Sequence, residues 1–292
     1  MLFKRTFKAV VASAVASSTL FLSGCSQEEL GRAILMPFPA SSSDVTNHTD
    51  KITDLWNISW AVLWGVGILA WGLMFWAIIV YRRRKGEVGL PAQMRYNNPI
   101  EALFTVVPLI LVIGFFAFTA RDMRVIEAPN NPEVTVEVIG KQWSWDFNYT
   151  QANVYDTGIQ SQYNGGEGDN LKDLPTLYLP VNKRVEIVLN SRDVIHSFWV
   201  IDFLFKKDML PGKTNHMYFT PTKEGDYMGK CAELCGEYHS MMLFNVKVVS
   251  QSEYEKHLLD LQAAGQVGQL SLDASRNQNL PGVSAPEEKE GE

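Results

Sequence analysis

The chain has 292 residues, a length typical of one or two domains. Hydrophobic residues make up 46% of the chain and aromatic residues 11%, which excludes a disordered or collagen-like protein. The mean hydropathy of -0.06 restricts any membrane-embedded part to a minority of the residues. A net charge of -6 argues against nucleic acid as the main partner.

The charge is unevenly distributed along the chain. Residues 1–120 contain 10 basic and 7 acidic residues, whereas residues 121–292 contain 16 and 25. This asymmetry predicts a membrane-anchoring half followed by a solvated half that attracts a basic partner. The only cysteines are Cys25, Cys231 and Cys235, so the sequence provides no disulfide scaffold.

The N-terminus has the pattern of a targeting signal. Three basic residues among the first eight precede an apolar stretch over 9–22, and Leu-Ser-Gly-Cys follows, ending at Cys25. This pattern resembles the bacterial lipobox, in which the cysteine is lipidated and becomes the mature N-terminus. It predicts a signal peptide over 1–24 and an exported segment over 25–54. The alternative is an ordinary signal with a chance cysteine.

Two apolar segments predict a transmembrane hairpin over 55–121. Residues 55–80 and 102–120 carry no charge, and about 20 apolar residues suffice to cross a bilayer. The loop between them, 81–99, carries five basic residues and one acidic residue, which places it in the cytoplasm. Both ends of the hairpin then lie on the outer face of the membrane. A buried helix of a soluble protein is the alternative for each segment.

Glu101 lies at the cytoplasmic start of the second predicted span. An acidic residue there is functional if it faces protein. The alternative is an interfacial carboxylate that is stabilised by the dipole at the N-terminus of the helix.

The region 125–250 has the pattern of an antiparallel β-sandwich or β-barrel. Apolar and polar residues alternate over 134–138 and again over 184–189, and Gly and Pro separate several further β-rich runs. Residues 150–173 lack this alternation and predict an inserted surface loop. A short helix is expected over 251–263, and the composition of 264–292 predicts a disordered tail.

One cluster of residues has the pattern of a metal site. The segment CAELCGEYHSMM contains Cys231, Cys235, His239 and Met242, and His196 lies in an earlier β-rich run. Thiolate, imidazole and thioether groups suit copper, and the arrangement resembles that of cupredoxins. Two thiolates can bridge two copper ions, with one imidazole for each ion. The weak axial ligands would then be Met242 and the backbone carbonyl of Glu233.

Two alternatives compete with copper at this cluster. Zinc sites prefer cysteines separated by two residues rather than three. A disulfide between Cys231 and Cys235 suits an exported domain, but it leaves the neighbouring histidine and methionine residues without a role. The other three histidines, His48, His216 and His257, are interpreted as surface or structural residues.

Residues 50–250 resemble subunit II of haem-copper cytochrome c oxidase, which consists of a two-helix transmembrane hairpin followed by an all-β cupredoxin-like domain. Three motifs carry the resemblance: the CxExCGxxHxxM pattern, the HSFWV segment and the KQWSWDFNY segment. The resemblance implies a binuclear CuA centre. Its ligands are His196, Cys231, Glu233 through its carbonyl, Cys235, His239 and Met242.

The resemblance also implies roles outside the copper ligands. The Glu233 side chain reaches a magnesium site shared with subunit I, and electrons enter at Trp143. Glu101 lies at the mouth of a proton pathway, which favours its functional interpretation over the structural one. Haem a and CuB belong to subunit I, where oxygen is reduced, and subunit III is a further partner.

Two tryptophans and several acidic residues are expected to take part in electron entry and donor binding. Trp143 is expected in a strand beneath the copper loop, with Trp145 on the same face, and Trp145 is either functional or part of the core. Acidic residues such as Asp146 and Glu237 are expected to bind a basic cytochrome c. That donor is either soluble or held in a cytochrome bc complex. The long 150–173 segment would serve as a contact in a supercomplex with such a membrane-held donor.

The sequence therefore predicts the electron-input subunit of an aa3-type oxidase in a bacterial plasma membrane. Three other classes of protein are alternatives. A quinol oxidase subunit lacks the copper ligands, and a nitrous oxide reductase lacks the hairpin and lipobox. A copper assembly protein has no need of Trp143 or Glu101.

Overall fold

The structure is a computed structural model that describes residues 44–90, 93–129, 131–160 and 174–273. The predicted signal peptide and the predicted lipidation site at Cys25 lie outside the described residues, as do most of the predicted 150–173 loop and the end of the predicted tail.

Two long helices precede the β-domain in the chain. Helix α1 covers Thr49–Val80 and helix α2 covers Asn98–Ile126, and both are long and apolar enough to cross a membrane. Helix α2 begins after Asn97, whose side chain accepts a hydrogen bond from the Ile100 amide. Both helices extend beyond the uncharged segments because polar residues continue the helix outside the hydrocarbon region.

The β-domain is a sandwich of two five-stranded sheets. One sheet has the order β3-β2-β1-β5-β8 and the other has the order β4-β10-β9-β6-β7. The strands are β1 (Val134–Lys141), β2 (Ser144–Tyr149), β3 (Val154–Thr157), β4 (Thr176–Pro180), β5 (Val185–Ser191), β6 (His196–Val200), β7 (Phe205–Met209), β8 (Asn215–Phe219), β9 (Gly225–Cys231) and β10 (Leu243–Val249).

The alternation seen in the sequence produces the core between the sheets. Strands β1 and β5 pair in parallel, and their apolar residues, such as Val136 and Ile187, are fully buried. The aromatic rings of Trp145, Phe198 and Phe244 pack together in the same core, with Phe198 and Phe244 stacked at 4.9 Å between ring centroids. Each fully buried aromatic or aliphatic side chain contributes roughly 1.5–3 kcal/mol through removal from water. The predicted class, two apolar helices followed by an all-β sandwich, is confirmed.

Two expectations about irregular segments were wrong in part. Residues 154–157 of the expected surface loop form β3, an edge strand of four residues that pairs with β2. A strand this short leaves no alternation to detect. Helix α3 covers Gln251–Ala263, and residues 264–273 of the expected disordered tail pack against the domain. There Val267 bridges Val154, and the amide of Leu270 donates to Asn148. These contacts are made largely by the backbone, which composition does not reveal.

The segment before α1 is also attached to the sandwich. Thr46 forms a β-bridge with Pro221, and the amide of Asn47 donates to the carbonyl of Thr220 at 3.0 Å. His48 is buried, with its Nε2 3.1 Å from the carbonyl oxygen of Tyr218, so its role is structural. No pattern in the sequence indicates this pairing.

Candidate metal centre

The sheet that contains β6 and β9 places the first two predicted ligands. His196 begins β6 and Cys231 ends β9, and these antiparallel strands pair Phe198 with Cys231. The amide of Ala232 also donates to the carbonyl of Ser197 at 3.0 Å. The relative position of His196 and Cys231 is therefore fixed by sheet hydrogen bonding.

The remaining predicted ligands lie on the connection from β9 to β10. This connection contains Cys235, a short 3-10 helix over His239–Met241, and Met242 immediately before β10. Cys235 and Met242 are buried, whereas His239 is half-buried. The close spacing of these residues in sequence lets one loop bring three donors to the end of β9.

The structure brings together all six donors expected from the sequence. The two Sγ atoms lie 3.8 Å apart, each thiol lies beside a histidine Nδ1, and a weaker donor accompanies each thiol. The distances from Cys231 Sγ are 3.8 Å to His196 Nδ1 and 3.2 Å to the Glu233 carbonyl, and those from Cys235 Sγ are 3.4 Å to His239 Nδ1 and 3.7 Å to Met242 Sδ.

The disulfide alternative does not fit this geometry. Cys231 and Cys235 are both free and buried. Their Sγ separation of 3.8 Å is far longer than the roughly 2.05 Å of a disulfide bond. The thiols are therefore available as ligands.

Electrostatics at the two thiols favour formation of a thiolate. The hydrogen bond between the thiols lowers the pKa of Cys231 and raises the pKa of Cys235, and the hydrogen bond with His196 lowers the Cys231 pKa further. Burial alone lowers the pKa of His196, but its hydrogen bonds with Asp193 and Cys231 outweigh burial and the net shift is upward. The first proton therefore leaves Cys231, and a thiolate is the form that binds metal.

Asp193 orients His196, and sequence reasoning missed it. Its Oδ1 lies 2.8 Å from His196 Nε2, which leaves Nδ1 facing Cys231. The amides of Gln142 and Val194 donate to the same carboxylate at 2.7 Å. Metal-binding histidines commonly use their second nitrogen in this way. The available signal was an acidic residue three positions before a candidate ligand.

The turn between β1 and β2 supports the other side of the centre. Gln142 Nε2 and Trp143 Nε1 both donate to the carbonyl of Cys235, at 2.7 and 3.1 Å. The expectation that Trp143 lies in a strand was wrong, because Lys141 pairs with Ser144 and leaves Gln142 and Trp143 as the turn. The Trp143 ring contacts Tyr238 edge to face, with 5.1 Å between the centroids.

Trp145 lies in β2 and belongs to the core. It is fully buried, and its Nε1 donates to the carbonyl of Met242 at 3.3 Å. We call the connection from β9 to β10, residues 232–242, the ligand loop. The two tryptophans therefore contact different parts of this loop.

The expectation that Asp146 is a surface acid was wrong. Its side chain is 1% exposed and lies 2.5 Å from Lys141 Nζ and 3.1 Å from Arg192 Nη2. Thr157 also donates to it, at 2.7 Å. In contrast, Glu233, Leu234 and Glu237 of the ligand loop are exposed. The sequence could not distinguish these acids because a charged residue is normally at the surface.

Glu101 is engaged in capping helix α2. Its Oε1 accepts a hydrogen bond from the backbone amide of Asn97 at 2.8 Å. This contact satisfies one of the amides at the start of the helix.

Two thiols, two imidazoles and a thioether form a donor set that suits copper. With the two apolar helices, this set defines a membrane-anchored β-sandwich protein with a candidate copper centre. The β-domain matches the family model for the periplasmic domain of cytochrome c oxidase subunit II over residues 134–249. The chain belongs to the cytochrome c oxidase subunit 2 family, which confirms the resemblance seen in the sequence.

Two bacterial relatives support this assignment. The chain is 45% identical to the probable cytochrome c oxidase subunit 2 of Streptomyces avermitilis, and the alignment covers 84% of each chain. It is 30% identical to cytochrome c oxidase subunit 2 of Corynebacterium glutamicum, with 86% of this chain and 84% of the relative covered. The crystal structure of the periplasmic domain of cytochrome oxidase subunit II of Bradyrhizobium japonicum is similar with a TM-score of 0.41 and 27% identity, covering 46% of this chain and 97% of that one.

Proposed function

We propose that this chain is the electron-input subunit of an aa3-type cytochrome c oxidase. It accepts single electrons from cytochrome c at a binuclear copper centre and passes them to haem a of subunit I. The observation that carries the proposal is the pair of buried free thiols 3.8 Å apart, each beside the Nδ1 of its own histidine. A mononuclear blue-copper site uses a single cysteine thiolate, whereas two thiolates can hold two copper ions.

The residues present fit a copper pair. Two thiolates and two imidazoles would hold the copper ions, those of Cys231, Cys235, His196 and His239. Met242 and the Glu233 carbonyl would complete the set as weak ligands. When bound, such a copper pair would supply one-electron transfer.

The protein residues around the ligands hold the centre in place. His196, Cys231, Cys235 and Met242 are each at most 3% exposed, which keeps water from their donor atoms. The sheets fix one side of the centre, and the β1–β2 turn supports the other. A site that cannot rearrange lowers the cost of changing oxidation state, because its donors are already in position.

Trp143 is the proposed point at which electrons enter. It is half-buried, and its Nε1 donates directly to the carbonyl of Cys235. The indole therefore connects the protein surface to a ligand residue through one hydrogen bond. The exposed residues Leu234 and Glu237 would contact cytochrome c, with the acid attracting basic residues of the donor. The donor is a soluble cytochrome c or one held in a cytochrome bc complex.

The remaining partners are proposals of the same kind. The exposed Glu233 side chain would reach a magnesium ion shared with subunit I, which also contains haem a and CuB and carries out oxygen reduction and proton pumping. Subunit III would complete the core of the enzyme. Glu101 would serve the proton pathway of subunit I, in addition to capping helix α2.

The proposed location is the bacterial plasma membrane, with the copper domain and both termini on the outer face. The chain is a membrane protein with two helices able to span the bilayer and a β-domain that matches a periplasmic domain. The basic residues of the 81–99 loop favour a cytoplasmic loop. Lipidation at Cys25 would add a membrane anchor at the mature N-terminus.

Copper analysis of the purified oxidase tests the proposed centre. We expect two copper ions bound by this chain, and an electron paramagnetic resonance (EPR) spectrum in which one electron is shared by two copper nuclei. The Cys235→Ser variant should lose the shared-electron spectrum, whereas Ser240→Ala, an exposed substitution in the same loop, should keep it. A wild-type spectrum from a single copper nucleus would contradict the pair.

A further inference from the structure

Of the two cysteines, Cys235 is the one that the sheets do not hold. Cys231 is part of β9 and pairs with β6, which carries His196, but Cys235 lies outside the strands. Its carbonyl instead accepts hydrogen bonds from Gln142 Nε2 at 2.7 Å and Trp143 Nε1 at 3.1 Å. The position of Cys235 therefore depends on the β1–β2 turn.

Gln142 also contacts the opposite side of the centre. Its backbone amide donates to Asp193 Oδ2 at 2.7 Å, and Oδ1 of the same carboxylate lies 2.8 Å from His196 Nε2. The backbone of Gln142 thus supports the residue that orients His196, while its side chain supports Cys235. Within the described residues, Asp193 hydrogen-bonds His196 but not Cys235, and Trp143 hydrogen-bonds Cys235 but not His196.

The surrounding backbone leaves space for this arrangement. A Cβ atom on Gly236 would lie 3.1 Å from Gln142 Nε2 and 3.0 Å from the Trp143 ring. Gly236 also has a φ of +123°, a conformation that side chains rarely permit. A glycine directly after Cys235 therefore allows the turn to approach the ligand loop closely enough to form both hydrogen bonds.

We propose that Gln142 is a positioning residue for the metal centre, which fixes Cys235 relative to His196 through its side chain and backbone. This inference rests on the proposed copper function. The side-chain amide also has an electrostatic effect, because its N–H dipole points its positive end at a ligand residue. Such a dipole favours the reduced form of the centre, which carries one more electron. Loss of the amide should therefore lower the reduction potential.

The test compares Gln142→Met with Gln151→Met in the purified oxidase. Methionine has nearly the length of glutamine and no amide, so it removes the donor with little change in volume. Gln151 follows the far end of β2 and accepts from the amide of Thr135, which makes it a matched control. Copper content, copper hyperfine coupling in the EPR spectrum and the reduction potential are measured for each protein.

We expect Gln142→Met to bind copper with a lower reduction potential and a changed hyperfine coupling, while Gln151→Met matches the wild type. A wild-type potential and coupling in Gln142→Met would overturn the inference. If Gln142→Met loses its copper, the reduction potential of Gln142→Asn is measured instead. The asparagine amide is one methylene too short to reach Cys235. A shifted potential in Gln142→Asn supports the inference and a wild-type potential overturns it. If the proposed copper pair itself is wrong, the copper content of the wild-type protein will differ from two ions in this chain. That result is obtained before any variant is compared.

Discussion

The carboxylate of Asp193 lies 2.8 Å from Nε2 of His196, on the side of the imidazole opposite Cys231. This contact selects Nδ1 as the nitrogen that faces the thiols. The residue that orients the histidine is thus only three positions before it in the chain. Because the backbone amides of Gln142 and Val194 hold the carboxylate, His196 is fixed before any metal binds.

Replacing Asp193 with alanine should weaken copper binding. Loss of such an outer partner typically reduces metal affinity roughly 10–100-fold, because the imidazole is no longer held in the binding orientation. Competition with a copper chelator measures the change in the purified oxidase. Asp226→Ala is the matched control, since Asp226 is exposed and lies near the start of β9, away from Cys231. Equal copper retention in the two variants would contradict a positioning role for Asp193.

Asp146 should contribute to stability rather than to docking. The Asp146→Asn substitution leaves the buried cations of Lys141 and Arg192 without their carboxylate, and breaking a buried ion pair typically costs about 3–5 kcal/mol. Urea unfolding of the detergent-solubilised chain, followed by tryptophan fluorescence, measures this loss. An unchanged unfolding free energy, with weakened cytochrome c binding, would return Asp146 to the docking surface.

Glu237 is the acid of the ligand loop that should attract a basic donor. Glu237→Gln should raise the Michaelis constant for cytochrome c and flatten its dependence on ionic strength, with little effect on the maximal rate. Steady-state turnover at several salt concentrations provides the measurement. The control is Glu224→Gln, because Glu224 is also exposed but lies just before β9. Equal effects from both substitutions would show that docking does not depend on the ligand loop.

His257 should make stability depend on pH. Burial lowers its pKa from 6.5 to about 4, and within the described residues its buried Nε2 has no hydrogen-bond partner. Between about pH 4 and 6.5 the unfolded chain binds more protons at this residue than the folded chain. The His257 contribution to the unfolding free energy therefore falls as the pH decreases through this window.

The His257→Phe variant isolates this contribution. Phenylalanine keeps an aromatic ring against Tyr178, on which the imidazole stacks at 3.7 Å between centroids. Urea unfolding of both proteins at pH 7 and pH 4.5 should show a smaller loss of stability on acidification in the variant. Parallel pH profiles for the two proteins would exclude His257 as a source of the dependence.

The ligand set could be predicted from the sequence because five of its six residues lie within 12 positions of one another. His196 was recognisable from its β-rich segment and from the family motif. Gln142 could not be predicted, because its role depends on which strands become neighbours in the sandwich. Asp193 lies only three positions before His196, but that spacing alone does not show that the carboxylate faces the imidazole. The burial of Asp146 was missed for a related reason, since Arg192 lies 46 positions away in sequence and reaches it only after β1 and β5 pair.

The central claim is that electrons reach haem a only through the copper pair. Rapid mixing of reduced cytochrome c with the oxidised enzyme, with the copper and haem a absorbance bands followed together, tests it most directly. We predict that copper is reduced first and haem a is reduced as copper is reoxidised. Trp143→Phe should slow the first step alone, and Cys231→Ser with Cys235→Ser should abolish fast haem a reduction. Reduction of haem a at the wild-type rate in that double variant would contradict the account.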